Sequence, residues 1–301
     1  MHIPTLRRLP FLLLFLGLSA LASEGRPLLS LQPGTARPGD PVLVTVRGLN
    51  EAPTGTLGER PLRFYPVGDG FQAVTGLPVE QTPGQVAVKV TVPTTGSAAP
   101  VELSGTLKVV APGWPARTLK VASKFVKPPP EVQTRMEQDK AAFAAAFAQG
   151  FVPPAFGENF AWPRQGRVTA PYGDLRTFNG KKQSQHFGTD VDGAVGTPIY
   201  AANAGTVVMK RDNYASGNTV LVYHGAGLYT AYFHLSAFEV KEGQRVERGQ
   251  LLGKVGNTGR VTGPHLHWGV KVDDLWVDGE TLLKLDFGTA PAPAVTQRDK
   301  E

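Results

Sequence analysis

His265-Leu266-His267-Trp268-Gly269-Val270-Lys271-Val272 is the stretch on which the reading of this chain turns. Taken as a β-strand, it sends residues i and i+2 to the same face. Both imidazoles then point one way, and Leu266 and Trp268 point the other. Two histidines placed like this do not easily join one small ion together with two further protein ligands. One ligand and one acid/base partner is the more comfortable division.

Working outward, the region from about residue 156 to 287 is β-rich and Gly-rich. Its other candidate strands are Thr206–Lys210, Asn218–His224, Tyr229–Leu235 and Leu251–Val255. Within Tyr229–Leu235, residues Thr230, Tyr232 and His234 share one parity, which puts His234 on a polar face near the strand's end. Upstream, His186-Phe187-Gly188-Thr189-Asp190 holds two ligand-type residues four apart. A straight strand would separate them by about 13 Å. Metal donors around a zinc-sized ion must sit only about 3–3.5 Å from one another. The spacing therefore predicts a bend, with Gly188 as the residue that permits it.

Composition narrows the chemistry. The 301 residues include six His and no Cys, and five of the His lie between positions 186 and 267. With no Cys there is no disulfide, no thiolate nucleophile and no Cys-ligated metal, so any metal must be held by His and carboxylates. Gly (35) and Pro (26) together make about a fifth of the chain, above the usual share, as expected of turn-rich β structure. The formal charge is +6, and Lys and Arg are dispersed with no basic stripe interleaved with aromatics, which argues against nucleic-acid binding.

Gly256-Asn257-Thr258-Gly259-Arg260-Val261-Thr262-Gly263-Pro264-His265-Leu266-His267 resembles the signature of the lysostaphin/LytM-type zinc metallopeptidases, peptidase family M23. His186–Asp190, Gly196-Thr197-Pro198, Tyr232–Leu235 and the run from Glu242-Gly243-Gln244 to Gly249-Gln250 follow in that family's order. The similarity covers roughly Trp162 to Lys271. It implies a mainly β fold whose C-terminal part is an antiparallel core of the duplicated hybrid-motif type. It implies Zn2+ as cofactor, with His186, Asp190 and His267 as ligands and a fourth position left for water, whose pKa zinc lowers toward about 7. His234 and His265 match the two catalytic histidines that do not bind metal. One would take the water's proton, and the other would stabilise the oxyanion or protonate the leaving amine. Two positions stand apart. Gly269 replaces a Glu common in the family two residues after the ligand His, and His224, in Tyr223-His224-Gly225, reads as structural.

The remaining organisation follows from composition and pattern. Residues 1–22 form a signal peptide: Arg7 and Arg8 precede the apolar Phe11–Leu18, and Ala20-Leu21-Ala22 supplies small residues at a cleavage site. Its removal leaves 29 basic and 25 acidic residues, a charge of +4, with no Cys for a lipid anchor and no later span long enough to cross a bilayer. Residues 23–127 read as a β-sandwich-like accessory domain. Its strands include Val42–Arg47, Gln85–Val92 (Val86, Val88, Val90 and Val92 on one parity), Leu103–Val109 and Thr118–Val126. Residues 128–155 are a Pro-rich linker and a helix over Glu131–Gln149, with Met136, Phe143 and Phe147 as core candidates. Residues 156–287 are the peptidase-like domain, and 288–301 a loose tail.

The expected protein is an exported endopeptidase, periplasmic or wall-associated. It cuts peptide bonds in peptidoglycan stems or cross-bridges, with no stable membrane anchor and an oligomeric state the residues leave open. Loops near Lys181–Gln185 and Asp212–Gly217 would shape its groove. The alternatives are a non-enzymatic relative that activates other wall hydrolases, and a lipoyl- or biotinyl-like carrier suggested by Val240–Val255. Met209-Lys210 matches a carrier's modified lysine poorly.

Overall fold

The computed structural model describes residues 26–94, 99–180 and 182–288. The expected signal peptide, the tail beyond residue 288 and Lys181 lie outside the described residues. The fold is mainly β.

The N-terminal part consists of two sheets sharing one core. A four-stranded sheet runs Leu28–Gln32, Pro41–Arg47, Gly70–Gly76, Tyr65–Val67. A five-stranded sheet runs Thr35–Ala36, Val101–Val109, Gly84–Val92, Thr54–Leu57, Arg60–Pro61. Strict alternation in Gly84–Val92 buries Val86, Val88, Val90 and Val92 and exposes Gln85, Ala87 and Lys89. The buried set meets Val42, Val44, Val46 and Ala73 of the other sheet. That other sheet is buried on its second face as well, where Leu43, Tyr65 and Val74 join the large apolar cluster of the C-terminal part. Polar contacts complete this junction. Asp278 N–H donates to the Gly39 carbonyl at 2.8 Å, and Thr281 Oγ1 donates to Asp40 Oδ1 at 3.0 Å. Arg60 and Arg63 pair with Asp274 and Asp273.

The C-terminal part is built on a ten-stranded antiparallel sheet. Its main path runs Val168–Ala170, Thr189–Asp192, His265–Val272, Leu228–Phe238, Gly217–Tyr223, Gly205–Asn213, Arg245–Val246. One face carries Tyr232, Leu266 and Trp268 into the large core, all fully buried. The other face is covered by the helix Gln133–Phe147, whose Ala146, Phe143 and Phe147 pack on Met209, Leu221, Ala231 and Trp276. Met136, expected in that core, is only half-buried and lies outside the cluster. The helix is instead pinned by Asp139, which accepts from Tyr214 N–H at 2.7 Å and Arg211 Nε at 3.1 Å.

One expected strand goes elsewhere. Thr118–Val126 does not extend the N-terminal sheets. Ala116–Leu119 pairs in parallel with Leu175–Phe178, and Ser123–Val126 is a helical turn. Leu175–Phe178 forms a hairpin with Lys182–Gln185 and had an open edge. Asn179 extends the join by exchanging side-chain hydrogen bonds with the Val121 backbone. Short extended segments carry no record of which sheet they will edge.

Candidate functional site

The His265–Val272 strand does what its period dictates. Leu266 and Trp268 are sealed in the core, while His265 and His267 line a cleft of about 560 Å³. Thr189–Asp192 pairs beside it, with Asp190 opposite His267. His186 lies just before that strand, and the chain bends between them as expected. Gly188 allows this for a reason other than an unusual φ. A Cβ there would lie 2.5 Å from His267 Nε2 and 2.8 Å from the Trp268 carbonyl. The absent side chain lets the His267 ring approach the backbone.

Three of the predicted residues converge. His186 Nε2, Asp190 Oδ1 and His267 Nδ1 lie 3.0, 2.9 and 2.8 Å apart pairwise, the one such group among the described residues. The tautomers can be argued from the partners. His186 Nδ1 faces the Pro171 carbonyl at 2.8 Å, which only accepts, so this nitrogen carries the proton. Its Nε2 is then a lone pair aimed at a carboxylate oxygen, a contact that calls for a proton or a cation between them. Two imidazoles and a carboxylate are a fitting donor set for a zinc-type ion. Burial alone would raise the Asp190 pKa, but hydrogen bonds and charge from His186 and His267 hold it well below the ordinary carboxylate value. Burial is also the main reason that His267 is pushed down.

His234 and His265 complete the cluster without joining the trio. His265 donates from Nδ1 to the Gly263 carbonyl at 2.8 Å, leaving Nε2 3.6 Å from Asp190 Oδ1. His234 donates from Nδ1 to the Thr258 carbonyl at 2.8 Å, and its ring centroid is 5.0 Å from that of His265. Burial, then the two neighbouring histidines, pushes its pKa down to about 3, so it is neutral at pH 7. Simple parity does not account for its position. Thr230 and Tyr232 point into the core, where Tyr232 Oη accepts from Ala202 N–H and Thr230 Oγ1. His234 would follow them, but its backbone is left-handed, with φ +64°. That break in alternation returns the imidazole to the cleft, beside Phe233. Phe233 itself stacks on His267, with centroids 5.1 Å apart and planes 10° from parallel. A non-glycine residue held in this conformation is a strained feature of the kind found at functional sites.

Other residues were not visible in the sequence. Arg176 Nη2 bonds Asp190 Oδ2 at 2.8 Å, which leaves Oδ1 to the trio. Arg117 pairs with the fully buried Asp174 at 2.9 Å. Arg117, Leu119 and Val121, upstream of the linker, wall one side of the cleft, and neither the Gln133–Phe147 helix nor the two N-terminal sheets line it. Of the two stretches expected as groove-shaping loops, Lys182–Gln185 is a strand that contributes Ser184 and Gln185, while Ala215 and Ser216 come from the turn before Gly217. Beside Gly269, the space that a Glu would need holds the Trp276 ring, 2.7 Å from where a Cβ would stand. His224 lies outside this cleft. It is fully buried, bonded to the Ala204 carbonyl and Thr230 Oγ1, and burial lowers its pKa to about 4.

Residues 184–279 match peptidase family M23. A crystal structure from Pseudomonas aeruginosa assigned to peptidase M23 aligns over 83% of this chain and 95% of its own, with 30% identity and a TM-score of 0.60. The chain belongs to peptidase family M23. Among curated relatives of this M23 protein, the peptidoglycan DD-endopeptidase ShyA of Vibrio cholerae is 51% identical over 40% of the chain and 26% of its own length. The DD-carboxypeptidase/endopeptidase Mpg of Neisseria meningitidis is 38% identical over 44% of the chain and 30% of its own. The alignments thus span about a quarter to a third of these relatives' length.

Proposed function

We propose that this M23 protein is an exported zinc endopeptidase that hydrolyses peptide bonds in peptidoglycan stems or cross-bridges. The observation that carries the proposal is the convergence of His186 Nε2, Asp190 Oδ1 and His267 Nδ1 at one end of an open cleft. The names of the curated relatives support the substrate class. In this reading residues 1–22 direct export, 23–127 form an accessory unit, 128–155 connect it, and 156–287 carry the site. No helix among the described residues is long and apolar enough to cross a membrane.

His186, Asp190 and His267 would hold the zinc. When bound, it supplies Lewis acidity, polarising the scissile carbonyl and acidifying a coordinated water. The chain supplies the rest. His234 and His265 each commit Nδ1 to a backbone carbonyl, so it is Nε2 that each has free for substrate or water. One accepts the proton of the attacking water, and the other hydrogen-bonds the developing oxyanion or delivers a proton to the leaving amine. Arg176 hydrogen-bonds Asp190 Oδ2 and orients the carboxylate.

The test is digestion of purified peptidoglycan followed by mass analysis of the fragments. The expected products are peptides with new amine and carboxyl ends, from protein carrying one zinc per chain. His267→Ala and Asp190→Ala should lose both zinc and cleavage. Absence of zinc, or unchanged cleavage by His267→Ala, would overturn the reading. An Asp190→Ala variant that still stimulated a partner hydrolase would establish the activator role instead.

A further inference from the structure

Arg260 is a cation without an acid. Its guanidinium lies over the Phe178 ring, 4.9 Å from the centroid. Among the described residues, no ion pair and no side-chain hydrogen bond includes it. Its nitrogens are nonetheless absent from the sealed, unpartnered polar atoms of the interior. They remain open to the cleft, whose wall Arg260 and Phe178 share with His186, Asp190 and His265. The other arginines of that wall are committed, Arg117 to Asp174 and Arg176 to Asp190.

The position is held, not merely visited. Arg260 N–H donates to the Ala215 carbonyl at 2.8 Å. Two residues earlier, Thr258 Oγ1 accepts from Asn218 N–H and donates to the Leu235 carbonyl, each at 3.0 Å. Gly259 packs so tightly on Gly217 that a Cβ would lie 2.4 Å from its nitrogen. The loop is tied down at Arg260 and just before it, and the guanidinium rests over the Phe178 ring. Burial, and then the charge of Arg176, makes its protonated form less favourable than usual, a cost that an incoming anion would offset.

Its place in the cleft follows from the strand. Phe178 is two residues along from Arg176 in Leu175–Phe178, on the same face, and Arg176 bonds Asp190. Arg260, resting on Phe178, therefore sits on the same wall as the trio but apart from it. A planar guanidinium resting on an aromatic face, with its nitrogens open to the cleft, is suited to grip a carboxylate through two parallel hydrogen bonds.

We propose that Arg260 is a specificity-determining residue that binds a free carboxylate of the substrate elsewhere in the cleft than the scissile bond. The preferred substrate is therefore an acidic wall peptide whose carboxylate at that position is not amidated. This rests on the peptidase reading above and adds the feature by which substrates are selected.

The experiment uses two synthetic stem peptides that differ only in one group, a carboxylate or a carboxamide on a residue flanking the cleaved bond. Zinc-loaded protein is assayed for cleavage, and binding is measured separately by calorimetry. The wild type should bind the carboxylate peptide at least about tenfold more tightly, as expected for a charge-assisted pair, and show a correspondingly lower KM. Arg260→Gln should lose that preference, and Arg260→Lys should recover part of it, with zinc content and melting temperature checked for both. Equal affinity of the wild type for the two peptides, or a preference that survives in Arg260→Gln, would overturn the proposal. Failure to cleave either peptide would count against the peptidase reading instead, while the binding comparison would still decide the role of Arg260.

Discussion

Gly84–Val92 and His265–Val272 are strands of similar length with opposite economies. The first buries one face and shows the other to solvent, valines in and Gln85, Ala87 and Lys89 out. The second is buried on both faces from Trp268 onward, and only His265 and His267 are partly open. The difference lies in what covers the second face. Trp276 and the Gln133–Phe147 helix lie over Ala231 and Gly269. That cover ends at Phe233, which borders both the helix-side cluster and the cleft. The candidate site is the uncovered end of strands otherwise buried on both sides. Its histidines are held in place by backbone carbonyls.

If this contrast is right, damage to the two regions should separate. The largest effect belongs to His265→Ala and His234→Ala, expected to cut turnover by about 10²–10⁴-fold while zinc stays bound. Peptide cleavage and metal analysis on the same samples check this, and loss of zinc in His265→Ala would mean that the roles within the His265/His267 pair are reversed. Next is Leu107→Ala, which empties a fully buried position in the N-terminal core. It should cost about 2–5 kcal/mol of stability in denaturant unfolding and leave zinc affinity unaltered. Arg176→Gln should do the converse, weakening zinc about 10–100-fold in chelator competition with little change in unfolding.

The smallest effect tests the seam between the regions. Burial, with Asp40 nearby, raises the Asp278 pKa from 3.8 to about 6. A carboxyl raised in the folded state contributes stability that is complete below about pH 4 and lost as pH rises through about 6. Asp278→Asn should therefore melt like the wild type in acid and higher than it at pH 7, by on the order of 2 kcal/mol. Parallel melting curves at all pH values would contradict this.

How far the sequence revealed this site depended on how local each cause was. The outward pair His265/His267 and the valine ladder of Gly84–Val92 were legible because a period of two needs no partner to be read. The bend before Asp190 was legible too, although Gly188 serves by yielding space to His267 and not by adopting a rare φ. Parity misplaced the reason for His234: its neighbours Thr230 and Tyr232 belong to the core, and a left-handed residue breaks the alternation. Arg176 and Phe178 gave no signal, and Arg260, although within the quoted Gly256–His267 stretch, showed no role there. They become neighbours only when a hairpin, a loop and a parallel strand from upstream of the linker close around the cleft. Thr118–Val126 failed for the same reason, being extended as read but recruited by a different sheet.

The parallel pairing of Ala116–Leu119 with Leu175–Phe178 has a practical consequence for anyone trimming the chain. A fragment cut at the boundaries of the family match, 184–279, would keep His186, Asp190, His234, His265 and His267. It would discard Arg176, which orients Asp190, Phe178, on which Arg260 rests, and Arg117 with its buried aspartate. Such a piece would retain every donor and lose one bank of the channel. The transferable part of this molecule is its reacting cluster. The part that makes the cluster a shaped enclosure lies upstream of it, and reaches back across the linker to a strand near residue 116.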